Sequence, residues 1–356
     1  MKKKSILLTA CFATVSISGS ALAVQFPFLD AAYVQEIYTG PMVGGPGMAW
    51  TNAGAMLTRD GSNIYEYSLT QNAVHQGTNV HGFTTHAISG LNTSGYGMTN
   101  ALDGFIYTTT STGLQRFNPN SWASPAQSLG GTVGGQGYGI HAMADGRIAY
   151  VAGGGTNQVF IYDPVATTNT LIYTNPGLID DIAVDPAGNI ALAGQTAQNM
   201  IVISNTGTVL NNFVMAHFPD GLAFGDGVSA NSIFSNNNDG TITRLTYGAG
   251  YSGTPVAFDI ASGSQAYGDL AEVGPDCAFY VYQGENGGAH GSTPGVGTHW
   301  DNGVTNAEGS IIRIARKDGN CDFYHIDPVP EPGTFMAIGA GLAFLIRSRK
   351  RTNSSK

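Results

Sequence analysis

Lysine is nearly absent from the body of this chain. Of 15 Lys and Arg residues, Lys2, Lys3, Lys4, Arg347, Arg349, Lys350, Arg351 and Lys356 sit at the two ends, and Lys317 is the only lysine between Val24 and Pro330. Six arginines accompany it there, against 23 of the 24 acidic residues, so the body carries a net charge of −16. Such a surface repels polyanions and anionic bilayers. That excludes nucleic acid as a partner and favours cations, neutral glycans or basic proteins. Cysteine is equally scarce, at 3 residues. No Cys-x-x-Cys pair occurs, which argues against a structural zinc site. Also missing are a Gly-x-Ser-x-Gly elbow, a phosphate-binding loop and a His-Glu-x-x-His pair. Gly153-Gly154-Gly155 is a turn between strands. No stretch keeps a 3.6-residue apolar rhythm, and charged residues make up only 11%. Glycine is the residue in excess, at 50, and Ser, Thr and Asn punctuate the chain throughout. The composition is that of an all-β protein with many turns.

The two ends are of a different character. Lys2 to Lys4 precede a short apolar stretch, Ile6 to Ile17, and the small-x-small site Ala21-Leu22-Ala23, the pattern of an export leader over residues 1–23. Cys11 would leave with it. Cys277 and Cys321 then form an even pair in an oxidising compartment, expected to be a disulfide, with two buried thiols as the alternative. At the other end, Pro330-Glu331-Pro332 breaks any helix. An apolar run from Phe335 to Ile346 follows, shorter than the roughly 20 residues that span a bilayer comfortably. Arg347, Arg349, Lys350 and Arg351 close the chain as a stop-transfer cluster. This suits a transient membrane hold, with a weak single-span anchor as the alternative. The tripartite tail resembles the PEP-CTERM sorting signal of Gram-negative bacteria. That resemblance implies processing by an exosortase-type membrane protease, sorting to the envelope or an exopolysaccharide matrix, and membrane contact only through the C-terminal segment.

Between residues 24 and 327 a pattern recurs. Its apolar markers are Met48, Met98, Ile140, Ile182, Leu222 and Leu270, spaced 50, 42, 42, 40 and 48 residues apart. Most copies continue into an Asp/Gly turn, exemplified by Asp103-Gly104, Asp145-Gly146 and Asp185-Pro186-Ala187-Gly188, then a second strand and a third. In the first, weakest copy Asp60-Gly61 and Ile64 to Tyr67 stand in. An Asp-Gly pair between apolar runs is a hairpin signal, through a type I′ turn. Repeats of roughly 40–50 residues with several strands each are the signature of propeller blades. Six markers predict a six-bladed β-propeller, with Val24 to Gly45 adding a closing strand to the last blade. A β-sandwich or solenoid is the alternative. Tyr138-Gly139-Ile140, Asp185 to Asn189 and Asn238 to Leu245 resemble repeats of the NHL, SMP-30-like and streptogramin-lyase-like six-bladed propellers.

By that resemblance the innermost strands line a channel, and the loops entering them form a ligand face. The entry positions hold Tyr96, Tyr138, Asp180, Asp181, Asp220 and Asp269, with His141 just inside. Converging carboxylates suit Ca²⁺ or another divalent ion, and Asp180, Asp181 and Asp269 are the candidate ligands. Equally, aspartate starts turns and satisfies backbone amides. The second candidate is the insertion from Gln283 to Gly309, which carries Glu285, Asn286, His290, His299, Trp300, Asp301 and Glu308 among glycines. SMP-30-like lactonases bind a metal through Glu, Asn and Asp, which draws attention to Asn236, Asn237 and Asp239. The His/Glu arrangement of the lyases has no counterpart that can be placed here. The expected role is an exported binding or scaffold module with a glycan or protein partner. The alternative is a metal-dependent lyase or lactonase acting on extracellular sugars or lactones.

Overall fold

The computed structural model describes residues 30–39, 45–75, 78–92, 97–111, 113–130, 139–152, 157–261, 267–284, 297–298, 305–306 and 310–326. The expected leader and the sorting tail lie outside them.

The chain enters with β1 (Tyr33–Thr39) and then lays down four-stranded antiparallel sheets in sequence order. Blade 1 is β2 (Gly45–Trp50), β3 (Met56–Asp60), β4 (Asn63–His75) and β5 (Thr78–Ala87). Blade 2 is β6 (Met98–Asn100), β7 (Ile106–Thr110), β8 (Gly113–Phe117) and β9 (Gln127–Ser128). Blade 3 is β10 (Ile140–Ala142), β11 (Ile148–Ala152), β12 (Gln158–Asp163) and β13 (Thr168–Thr174). Blade 4 is β14 (Ile179–Val184), β15 (Ile190–Gly194), β16 (Asn199–Ile203) and β17 (Val209–Val214). Blade 5 is β18 (Pro219–Phe224), β19 (Ser232–Asn237), β20 (Ile242–Thr246) and β21 (Val256–Ala261). Blade 6 starts with β22 (Tyr267–Val273) and β23 (Phe279–Gly284). A separate small hairpin, β24 (Gly297–Thr298) and β25 (Thr305–Asn306), falls within the insertion. β26 (Ser310–Arg316) is the third strand of blade 6, and β1 pairs against it as the fourth, Tyr33 opposite Arg316. The first strand thus closes the ring by completing the last sheet, as expected from the sequence.

No single blade buries both of its faces, and the core is accordingly distributed over the seams. Each of the six hydrophobic clusters joins two neighbouring blades. Ile182, Leu192 and Ile201 of blade 4 meet Val151, Val159 and Ile161 of blade 3, and Phe234 and Ile242 of blade 5 meet Phe279 and Val281 of blade 6. The seam between blades 6 and 1 is rich in aromatics, with Tyr38, Trp50, Tyr65, Tyr67, Tyr280 and Tyr282, as is the seam between blades 2 and 3, with Tyr107, Tyr150, Phe160 and Tyr162.

The fold departs from the sequence expectations in three respects. Blades 1 to 5 each have a fourth strand beyond the three expected. These outer strands are half-exposed and polar, as in β13 (TNTLIYT), so no apolar run marks them. The Asp-Gly turns are not type I′. Only the glycine takes positive φ, 79° at Gly104 and 89° at Gly146, while the aspartate caps the amide two residues on: Asp103 Oδ1 accepts from Phe105 N and Asp145 Oδ1 from Arg147 N. A type I turn followed by a left-handed glycine produces that geometry. In blade 1 the first turn is Thr51 to Gly54, with Gly54 at φ 85°, and Asp60-Gly61 belongs to the next turn.

Candidate functional site

The inner strands β14, β18 and β22 are each interrupted at their entry ends. Ile179 pairs with Gly194 but Ile182 with Leu192, Pro219 with Asn237 but Gly221 with Asn236, and Gly268 with Gln283 but Ala271 with Val281. Each shift inserts one extra residue into the inner strand, a bulge that bends it and re-aims side chains. The residues displaced are Asp180-Asp181, Asp220 and Asp269-Leu270. Three consecutive blades therefore carry aspartate on an equivalent bulge at the channel mouth.

Asp180, Asp181 and Asp220 are all buried. Asp181 Oδ2 accepts the amide of Leu222 at 2.9 Å, so a carboxylate of blade 4 pins the inner strand of blade 5. Burial pushes its carboxyl well above the usual range, offset in part by amides of Leu222, Ile182 and Ala271, with the neighbouring Asp180 charge adding to the rise. Asp220 Oδ2 lies 3.4 Å from Gln195 Nε2, which also donates to Pro219 O at 2.7 Å. The side chain of Asp269 and the whole of Tyr96 and Tyr138 lie outside the described residues. The close packing of this face is visible at Gly139, where a Cβ would meet Ile182 N at 2.7 Å.

Deeper in the channel, His141 on β10 faces Glu272 on β22, with Nε2 3.6 Å from Oε1. These strands belong to blades 3 and 6, opposite each other in the ring. His141 Nδ1–H donates to Ala142 O at 2.8 Å, which leaves Nε2 as the acceptor. Burial lowers the imidazole to about 4, the Ala142 hydrogen bond opposes this, and nearby His325 adds to the fall. Burial holds the Glu272 carboxyl well above its ordinary value; the Val273 amide opposes the shift and Asp181 reinforces it. Burial thus favours the neutral form of both the imidazole and the carboxyl where they face one another across the channel. Glu272 was missed in the sequence because the last marker is one residue off: Gly274 N bonds Ala278 O as Asp185 N bonds Asn189 O, which makes Ala271, not Leu270, the counterpart of Ile182.

A raised carboxyl contributes stability fully below its unfolded pKa and loses it as pH rises through the folded value. Glu272→Gln keeps the neutral shape without the proton. The variant is expected to match the wild type near pH 4 and to gain on it as pH rises, opening a melting-temperature gap of roughly 3 °C by pH 8. His141 acts in the opposite sense, costing stability as pH falls from 6.5 toward 4, but it is common to both proteins. Thermal melts of the pair from pH 4 to pH 8 measure this, and a constant gap would show that Glu272 is ionised in the native state.

The other end of the channel is crossed by residues 321–326. Phe323 bridges to Gly225. Tyr324 N donates to Phe224 O at 2.8 Å, and His325 Nδ1–H to Val273 O at 2.8 Å. Ile326 reaches the cluster between blades 2 and 3. These contacts join the exit ends of β18 and β22 to the far side of the ring. Cys321, at the root of the segment, is joined to Cys277 in the β22–β23 turn, with Cα atoms 5.1 Å apart. The insertion leaves after Gly284 and returns at Ser310. In register these positions neighbour Tyr267 and Gln283, on the mouth side. Its Glu285, Asn286, His290, His299, Trp300, Asp301 and Glu308 lie outside the described residues.

The Asn-rich run is committed to structure. Asn236 Nδ2 donates to Tyr282 O at 2.9 Å, and Asn237 Nδ2 to Thr243 Oγ1 at 2.8 Å. Asp239 flanks His217, whose Nδ1 lies 2.6 Å from its Oδ2 and whose Nε2 lies 3.4 Å from Asp259 Oδ2. Sequence reading missed this Asp–His–Asp bridge, which assembles over 42 residues with no motif. Among the described residues no three His, Cys, Asp or Glu side chains are grouped to hold a metal. No described helix is long and apolar enough to cross a membrane.

Solved structures with the same architecture include virginiamycin B lyase from Staphylococcus aureus, at 12% identity over 80% of this chain and 98% of that one, with a TM-score of 0.52. Regucalcin from Agrobacterium tumefaciens, a calcium-binding protein, matches at 12% identity over 83% and 97%, TM-score 0.53. The PQQ-bound aldose sugar dehydrogenase of Streptomyces coelicolor matches at 11% identity over 80% and 99%, TM-score 0.53. Identities this low establish the shared fold alone. No curated protein sequence matches the chain. What the body leaves open, the tail defines: behind a six-bladed β-propeller, residues 328–351 match the PEP-CTERM protein-sorting motif.

Proposed function

We propose that the protein is an exported, envelope- or matrix-sorted propeller that works as a binding or scaffold module, held by its C-terminal segment and then processed there by an exosortase-type protease. One observation carries this reading. The chain leaves the propeller through residues 321–326, which cross the exit end of the channel, while the bulged aspartates and both ends of the insertion lie at the opposite end. A body held through its tail therefore presents the acidic mouth away from the membrane, toward matrix glycan or protein. Its charge of −16 suits a neutral or cationic partner.

Exopolysaccharide from producing cells, mixed with the purified exported protein and sedimented, provides the test. The expected result is co-sedimentation with polymer length unchanged. No co-sedimentation with either polysaccharide or matrix protein would refute the reading.

The equivalent aspartates of blades 4, 5 and 6 favour a second reading, a metal-dependent lyase or lactonase on extracellular sugars or lactones. The described side chains fit a divalent ion poorly, because Asp181 is engaged by backbone amides. Ca²⁺ or a similar ion would require Asp180 together with Asp269. Shortening of the polymer in the same experiment, abolished by chelator, would favour this alternative.

A further inference from the structure

We infer that the seam between blades 6 and 1 holds a binding cleft for a neutral oligosaccharide, distinct from the channel mouth. The cleft has a volume of about 340 Å³, within the range of small-molecule sites. Its wall is aromatic. Tyr280 stands edge-on to Tyr38 at 5.2 Å and to Trp50 at 5.1 Å, and His81 stacks on Tyr38 at 3.9 Å. Its rim is charged and already ordered. Arg313 Nε lies 2.7 Å from Asp276 Oδ2, and Nη1 lies 3.7 Å from Glu36 Oε2. All three rim side chains are partly exposed, whereas Tyr38, Trp50 and Tyr280 are largely buried. Leu69, 59% exposed, forms an outer lip.

Blade packing does not require this arrangement. The seam between blades 3 and 4 closes with Ile, Val and Leu and only a partly buried tyrosine against it. Phenol and indole edges beside a carboxylate–guanidinium–carboxylate rim match the chemistry of a pyranose, which offers C–H surface on its faces and hydroxyls around its edge. Two carboxylates against one guanidinium select against uronates and phosphates. The residues come from β1, blade 1 and blade 6, so the cleft exists only when the ring is closed, and a ligand there stabilises closure.

The test uses the exported protein with cellohexaose, maltohexaose and chitohexaose, and with alginate as the anionic control, followed by calorimetry and thermal melts. At least one neutral hexasaccharide is expected to bind and raise the melting temperature, while alginate does not. Glu36→Gln and, at the exposed lip, Leu69→Asp are each expected to weaken that binding about tenfold, the loss of one charge-assisted hydrogen bond or apolar contact, without lowering the melting temperature of the free protein. Val165→Ser, 93% exposed on blade 3, serves as the control that leaves binding unchanged. Absence of binding by all three sugars overturns the cleft. Binding that both variants retain also overturns it, yet leaves the binding-module reading intact by moving the sugar elsewhere.

Discussion

Phe323→Ala is expected to destabilise the propeller by about 4 kcal/mol, within the range for removing a fully buried phenylalanine. The side chain has no exposed surface. Its ring lies 4.7 Å from Phe234, 5.3 Å from Phe279 and 6.2 Å from Tyr33, so it touches blade 5, blade 6 and the closing strand at once. The cavity cannot collapse easily, because each of those rings is fixed by its own sheet. Tyr33 also donates a hydrogen bond to the buried carboxylate of Asp322, which couples the segment to β1. Loss of Phe323 therefore loosens both the cover of the channel and the closure of the ring. Urea unfolding should report the full loss, with a fall in melting temperature of about 8 °C. Limited proteolysis should show faster cleavage near residue 320. A loss below about 1 kcal/mol would mean that residues 321–326 do not pack on the propeller in solution.

How much of this was legible in the sequence follows from where the apolar residues lie. Inner, second and third strands are buried on both faces, as in β14 to β16, and read as short apolar runs at a regular spacing. The blade count and the closing strand followed from that repeat. Outer strands lacked the signal because one of their faces is wet. The aspartates at the mouth could be listed from their place in the repeat, but not their state. Only the fold shows that Asp180, Asp181 and Asp220 are buried and that they ride on bulges in β14 and β18. Glu272 was out of reach because the blade 6 marker was placed at Leu270, one residue before Ala271, so Glu272 did not fall at the position that His141 holds in blade 3. The Asp239–His217–Asp259 bridge and the aromatic seam between blades 6 and 1 join residues from distant parts of the chain, and no local pattern announces them. The disulfide partners were legible for a simpler reason: of three cysteines, Cys11 lies in the stretch read as a leader, which leaves Cys277 and Cys321 as the pair.

Removing that pair with Cys277→Ser and Cys321→Ser is expected to cost about 4 kcal/mol, the loop-closure entropy regained by an unfolded chain in which the cross-linked residues are 44 apart. Reductant should lower the melting temperature of the wild type by the same amount and leave the double variant unchanged. An equal response of both proteins to reductant would mean the thiols are unpaired. The bond also has a local role. Cys321 lies two residues before Phe323, and Cys277 lies in the turn after β22, so the cross-link and the ring hold one segment to one edge of blade 6. Their effects should therefore not add. Once Phe323 is alanine, the segment is already detached and the cross-link protects less native structure. The triple variant should lose measurably less than the sum of the two separate losses. Strict additivity would instead mean that the disulfide acts only on the unfolded chain, and that the ring alone seats the tail root beneath the channel.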